Sequence, residues 1–162
     1  MAIVYEVADI SFPKIKRREI TRWIRQVIIE YFHRKPGDIT YIFCSDEEIL
    51  RMNKSYLNHD YYTDIITFDY SEGDMISGDL FISLETVKTN SEKFGTEYDE
   101  ELYRVMIHGI LHLCGYEDKT PEEKKMMRVK EDEALGLIEK MLAIRCNPDN
   151  AKQNKQNTKN DV

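Results

Sequence analysis

The sequence predicts one α+β domain, a small mixed sheet of four strands packed with about five helices. Three observations lead there. Strand-like and helical apolar patterns alternate through the first half of the chain, and three helical patterns follow one another in the second. The 162 residues, 41% hydrophobic and 33% charged, suffice for one ordinary core under a charged surface. At this length a folded chain buries about 68–70% of the surface it exposes when unfolded, so neither a metal nor a disulfide is needed for folding. Neither an internal repeat nor a second domain boundary is visible, which leaves residues 1–145 as the domain.

Each element has its own signal. Val4 to Ile10 alternates loosely and reads as the first strand. Residues 15–34 place Ile15, Ile20, Trp23, Ile24, Val27, Ile28 and Tyr31 on one helical stripe, opposite a row of arginines. Lys35-Pro36-Gly37-Asp38 should break that helix, and Ile39 to Cys44 is the second strand. Ser45 and Glu48 stand at capping-box spacing, because each side chain can satisfy the other's free backbone N–H, and open a helix to about Tyr56. Asp64 to Tyr70 and Gly78 to Ser83 read as strands three and four, joined by the turn Ser71-Glu72-Gly73-Asp74. Ser83 should cap a helix to about Phe94. An apolar helix from about Tyr98 to Cys114 ends at Gly115. Thr120-Pro121-Glu122-Glu123 starts the last helix, which runs to about Ile144. Residues 146–162 are polar, cannot repay their ordering entropy, and are expected to be a disordered tail.

Composition excludes several classes. The apolar runs are far shorter than the ~18–20 residues of a membrane span. The N-terminus has no secretory pattern, which points to a cytoplasmic protein. Three widely spaced cysteines (Cys44, Cys114 and Cys146) make no disulfide framework. A net charge of −7 argues against a non-specific nucleic-acid binder. The charge is segregated, however. Between Lys14 and Lys35 eight basic residues face only Glu19 and Glu30. Lys16, Arg17, Arg18, Arg22 and Arg25 form the candidate contact surface for a nucleic-acid phosphate backbone, with an ordinary solvated helix face as the alternative. Trp23 lies on the apolar stripe and reads as core.

The chemistry concentrates in His108-Gly109-Ile110-Leu111-His112-Leu113-Cys114-Gly115-Tyr116-Glu117-Asp118. Histidines at i and i+4 share one face of a helix, so both imidazoles can converge on a single ion. Unpartnered imidazoles in so apolar a helix would be costly to bury. Gly115 can take the positive φ that turns the chain back, and Asp118 arrives where a third ligand would sit, with Glu117 as the neighbouring alternative. Three protein ligands with an open fourth position is the pattern of a catalytic zinc site on a zincin-like helix. Cys114 and the pair Met126 and Met127 read as packing.

This stretch resembles the signature of the YbeY endoribonuclease family of ribosomal-RNA maturation factors, H-G-x-L-H-L-x-G-Y-D-H. It matches at His108, Gly109, Leu111, His112, Leu113, Gly115 and Tyr116. It departs at Glu117 and at Asp118, which replaces the family's third histidine. A second block, T-D-v-L-S-F followed by G-D-I-x-I-S, is similar to Thr63-Asp64-Ile65-Ile66-Thr67-Phe68 and Gly78-Asp79-Leu80-Phe81-Ile82-Ser83. The resemblance covers roughly residues 3–144. It implies a single-strand-specific endoribonuclease using one zinc ion per chain, in which zinc-activated water attacks a phosphodiester. Its implied partners are rRNA, processed at the 16S 3′ end and in ribosome quality control, and the small ribosomal subunit, with neither DNA nor membrane.

In the family's Y-R-x-K-D segment this chain has Tyr56-Leu57-Asn58-His59-Asp60, so Leu57 stands at the Arg position. His59 is a candidate proton donor or simply an exposed loop histidine. Zinc peptidases place their general base after the first histidine, as H-E-x-x-H, and Gly109 offers none. Asp64 is the candidate for ordering the water, or a strand-end carboxylate that caps a loop. Two other readings stand beside this one. They are a metzincin-like zinc peptidase, which shares the H-x-x-x-H-x-x-G-x-x-D spacing, and a non-catalytic ribosome-assembly factor with a structural zinc.

Overall fold

The computed structural model describes residues 2–57 and 64–146. Strands β1 (Ile3–Val7), β2 (Lys35–Cys44), β3 (Ile65–Asp69) and β4 (Met75–Ser83) make one sheet in the order β1-β2-β4-β3. β1, β2 and β4 are parallel and β3 runs antiparallel to β4, as expected of a mixed sheet. The helices are α1 (Arg17–Gln26), α2 (Asp46–Met52), α3 (Leu84–Phe94), α4 (Tyr98–Leu113) and α5 (Pro121–Cys146).

Alternation along the strands sorts the core into two layers. Ile39, Tyr41 and Phe43 of β2, with Ile76, Leu80 and Ile82 of β4, join the main core under α1, α4 and α5. Cys44, Ile66, Phe68 and Phe81 meet Ile49 and Met52 of α2 in a smaller cluster. Trp23 is fully buried, and its indole N–H donates to the Ala134 carbonyl at 2.7 Å, pinning α1 to α5. The Tyr41 hydroxyl donates to the Met106 carbonyl at 2.9 Å and ties β2 to α4.

The three capping hydroxyls act as the sequence suggests, although the Glu48 carboxylate pairs with Arg51 and leaves the Ser45 N–H to Asp9. Ser45 accepts from the Glu48 N–H, Ser83 from the Thr86 N–H and Thr120 from the Glu123 N–H. Three details differ. The first strand ends at Val7, because the Asp9 carboxylate turns away to accept the Ser45 N–H. After Gln26 the first helix widens into a π-turn over Val27–Tyr31, closed by the Phe32 N–H on the Val27 carbonyl. The wider turn shifts the phase of the stripe, so Phe32 is buried and Tyr31 is exposed. The segment Lys35-Pro36-Gly37-Asp38, read as a breaker, is the first part of β2. A register shift between Pro36 and Ile39 accommodates it there, and β4 starts correspondingly early at Met75.

Two glycines set how closely the layers approach. A Cβ on Gly78 would lie 2.4 Å from the Phe68 carbonyl oxygen, whereas one on Gly109 would meet the Ile65 Cδ1 at 2.7 Å and Leu80 methyls beyond. The first obstacle is backbone and the second is flexible side chain, and alanine in a helix regains about 1 kcal/mol of propensity. Gly78→Ala is therefore expected to destabilise by about 2–3 kcal/mol and Gly109→Ala by about 1 kcal/mol or less. Denaturant unfolding of both variants checks the order; equal costs would show that the strands simply move apart.

Candidate metal centre

Helix α4 presents His108 and His112 one turn apart, their Nε2 atoms 2.9 Å from each other. The helix ends at Leu113, and Gly115 takes φ +95. The turn is closed by the Gly115 N–H on the His112 carbonyl and the Tyr116 N–H on the Leu111 carbonyl. The reversal carries Asp118 back, so that its Oδ2 lies 3.3 Å from His108 Nε2 and 3.7 Å from His112 Nε2. Phe32 packs on the Tyr116 ring at 6.2 Å, and Arg34 donates to the Cys114 carbonyl, so the strap before β2 steadies this turn.

The outer partners of the two rings decide what the inner nitrogens offer. His112 Nδ1 is 2.9 Å from the Tyr116 carbonyl, which can only accept, so Nδ1 carries the proton and Nε2 the lone pair. His108 Nδ1 is 2.7 Å from Glu131 Oε2, which assigns the same tautomer to neutral His108. With both rings neutral, two nitrogen lone pairs and a carboxylate oxygen converge, an arrangement that repels itself unless a metal ion or a proton on His108 lies between them. Donors held at about 2.0–2.1 Å from a tetrahedral ion stand roughly 3.3–3.4 Å apart. The observed 2.9, 3.3 and 3.7 Å bracket that spacing. The residues fit a metal ion. Among the described residues, His108, His112 and Asp118 form the group whose ligand atoms all lie within 4.8 Å.

The surroundings are charged and partly buried. Burial alone would lower the His108 pKa, but the hydrogen bond and charge of Glu131, with Asp64 and Asp118, bring it above the ordinary histidine value. Burial lowers that of His112, and the neighbouring His108 lowers it further. Asp64 lies half-buried at the start of β3, its carbonyl accepting the Ser83 N–H. Burial raises its pKa, against the opposing charge of His108.

The sequence of the endoribonuclease YbeY family matches residues 6–139. The chain belongs to this family. YbeY relatives include one from Bacteroides fragilis, 61% identical over 137 residues, spanning 85% of this chain and 98% of the relative. One from Parabacteroides distasonis is 59% identical over 138 residues, spanning 85% and 96%. One from Porphyromonas gingivalis is 48% identical over 140 residues, spanning 86% and 92%. All three are named Endoribonuclease YbeY. The solution structure of a Thermotoga maritima protein superposes with a TM-score of 0.57 at 25% identity, covering 83% of this chain and 88% of that one.

Within this YbeY-family fold the expected site residues fall into separate places. Asp64 is near enough to His108 for their charges to interact but lies outside the ligand group. Glu117 is exposed and lines a shallow hollow of about 420 Å³ with Glu123 and Met126, which none of the three ligand residues lines. Met127 is core, as read, whereas Met126 is half exposed. Cys114 is buried. His59 lies outside the described residues, as does the tail beyond residue 146. Lys16, Arg17, Arg18, Arg22 and Arg25 are all exposed along α1. Arg17 and Arg18 border an open groove against Ile3, Val4 and Tyr5 of β1. That strand and β3 are the two opposite edges of the sheet, about 14 Å apart at the usual strand spacing. The stripe and the metal ligands therefore lie toward different edges.

Sequence reasoning missed Glu131, Arg104 and the Tyr116 carbonyl. One signal was available for Glu131: it interrupts the apolar stripe of α5 made by Met127, Ala134, Leu135 and Ile138. The opposite pKa shifts give a checkable order. As pH falls, the chelator-treated chain should protonate His108 before His112, and a metal held by both should be released as those protons bind. Histidine ring signals followed by NMR through a pH titration decide it; His112 titrating first would contradict the charge environment described.

Proposed function

We propose that this chain is a zinc-dependent endoribonuclease that cuts single-stranded RNA, with one zinc per chain held by His108, His112 and Asp118. Its proposed substrate is ribosomal RNA, at the 16S 3′ end and in quality control of the small subunit, which places its work in the cytoplasm. The observation that carries the reading is the convergence of three electron-rich atoms whose tautomers are set from behind. Family membership supplies the RNA-cleaving activity.

A zinc ion held there would supply a Lewis acid for a phosphoryl oxygen and would lower the pKa of a water toward neutrality. The chain's own residues do the rest. Glu131 and the Tyr116 carbonyl hold the proton of each neutral imidazole on Nδ1 and aim Nε2 at the site. Asp64, whose proton affinity is raised by burial, stands beside His108 where it can order a water or accept its proton. The exposed arginines of α1 would hold the RNA backbone at a distance from the cleavage point.

The peptidase reading loses support from Gly109. Its Cα faces Ile65 and Leu80 of the sheet, so a glutamate there would enter the core instead of reaching the ligands. No described helix is long and apolar enough to cross a membrane.

Chelation should abolish cleavage of single-stranded RNA and added zinc should restore it, while duplex RNA and casein stay intact. His108→Ala, His112→Ala and Asp118→Ala should each lose zinc by elemental analysis and lose activity by about 100-fold or more. Glu117→Ala should keep both. Asp118→His should keep zinc and reach half-maximal turnover at lower pH, because a neutral third ligand leaves more positive charge on the site. Zinc at full occupancy without RNA cleavage would favour the assembly-factor reading.

Replacing Arg17, Arg18, Arg22 and Arg25 together by Gln should weaken RNA binding. The slope of log affinity against log salt should flatten by about 0.7 for each phosphate left without its cation. A salt series of binding curves reads it, and an unchanged slope would assign the stripe to solvation.

A further inference from the structure

We propose that Glu131, anchored by Arg104, is a positioning residue that locks His108 in the tautomer directing Nε2 toward the metal. The inference rests on the zinc reading above, and it adds what holds the first ligand in place. Glu131 occupies a core position of α5 and is 5% exposed. A carboxylate so placed is costly unless both oxygens are satisfied. They are. Arg104 Nη1 donates to Oε1 at 3.0 Å, and His108 Nδ1 lies 2.7 Å from Oε2. Held at both ends, the carboxylate cannot rotate.

Arg104 is fixed in its turn. It stands one helical turn before His108 on the same face of α4, and its Nη2 donates to Asp132 at 2.9 Å. Two successive residues of α5 thus grip one guanidinium of α4, and the spare oxygen of that grip orients the imidazole. Such carboxylate–histidine pairs fix ring orientation and raise the basicity of the ligating nitrogen. The two histidines are held by different means. His112 depends on the Tyr116 carbonyl and so on the Gly115 turn of its own helix. His108 depends on the docking of a neighbouring helix.

A plain helix staple and a positioning role predict different results for Glu131→Gln, which keeps size and removes one acceptor oxygen. Arg104 can only donate, so it should claim the amide oxygen and leave the amide NH₂ facing His108 Nδ1. The ring would then have to accept at Nδ1 and carry its proton on Nε2. Removing the competitor in the double variant Arg104→Met, Glu131→Gln should free the amide oxygen for His108 and restore the original tautomer. A staple alone predicts no such rescue.

The experiment uses the full chain with ¹⁵N-labelled histidine, chelator-treated, at about pH 9 where imidazoles are neutral. The His108 nitrogen shifts should report Nδ1–H in the unsubstituted chain, Nε2–H in Glu131→Gln, and Nδ1–H again in the double variant. Zinc affinity, measured by competition with a chromophoric chelator, should fall about 10–100-fold in Glu131→Gln. Circular dichroism melts show that each variant is folded. Finding His108 as Nε2–H in the unsubstituted chain overturns the proposal without any variant being needed. An unchanged tautomer with zinc affinity within about twofold in a folded Glu131→Gln overturns it as well. If the unsubstituted chain binds no zinc, the zinc reading fails, and the nitrogen shifts still decide what Glu131 does to His108.

Discussion

Between α4 and the strands β3 and β4 the space at position 109 fits a hydrogen atom, since a Cβ there would press on Ile65 and Leu80. That close approach fixes which way the helix faces. With Gly109 turned to the sheet, together with the buried Leu102, Val105, Met106, Ile110 and Leu113, the remaining face carries His108 and His112 outward. Gly78 repeats the arrangement near the end of the helix, where a Cβ would lie 2.9 Å from a Leu113 methyl. Because the helix is seated at both places, the Gly115 turn delivers Asp118 to a fixed point. Lifting α4 by the depth of one larger side chain would move all three ligands relative to Asp64, which β3 holds from the sheet.

The second constraint is electrostatic. The α4–α5 interface buries Glu101, Glu131 and most of Arg104, with Asp64 close by. Burying such charges is costly, and pairing them contributes less to stability than apolar packing would. Their value here is geometric. Burial raises the pKa of Glu101 against the pull of Arg104, and raises that of Asp64 against the pull of His108. Burial thus leaves Glu101 and Asp64 favouring protonation in spite of the cations that face them.

The surface separates its concentrated positive charge from the His108–His112–Asp118 group. A chain of net charge −7 carries one concentrated basic stripe, on a helix whose other face is held by Trp23 and Ala134. Rigid anchoring of α1 keeps that stripe at a set distance from the ligands. The stripe lies toward the β1 edge and the His108–His112–Asp118 group toward the β3 edge, so the width of the sheet separates them.

Local rules determined much of this protein. The histidine spacing, the Gly115 reversal and the capping residues Ser45, Ser83 and Thr120 act within one or two turns, so their geometry follows from the backbone nearby. The core stripes of α1 and α4 were legible for the same reason. The π-turn after Gln26 was not, because one extra residue per turn leaves no mark on a helical pattern until tertiary packing buries Phe32 instead of Tyr31. Nor was the opening of β2, where a bulge lets Pro36 and Gly37 pair against β4, a partner about forty residues away. The widest gap lies behind His108. Glu131 and Arg104 are 23 and 4 residues from it, and only the docking of α5 on α4 brings a buried carboxylate to its Nδ1. Sequence alone set which atoms were available to a metal. The tertiary structure decided which nitrogen of His108 is left free, because a tautomer is fixed by the partner behind the ring, and for His108 that partner arrives from another helix.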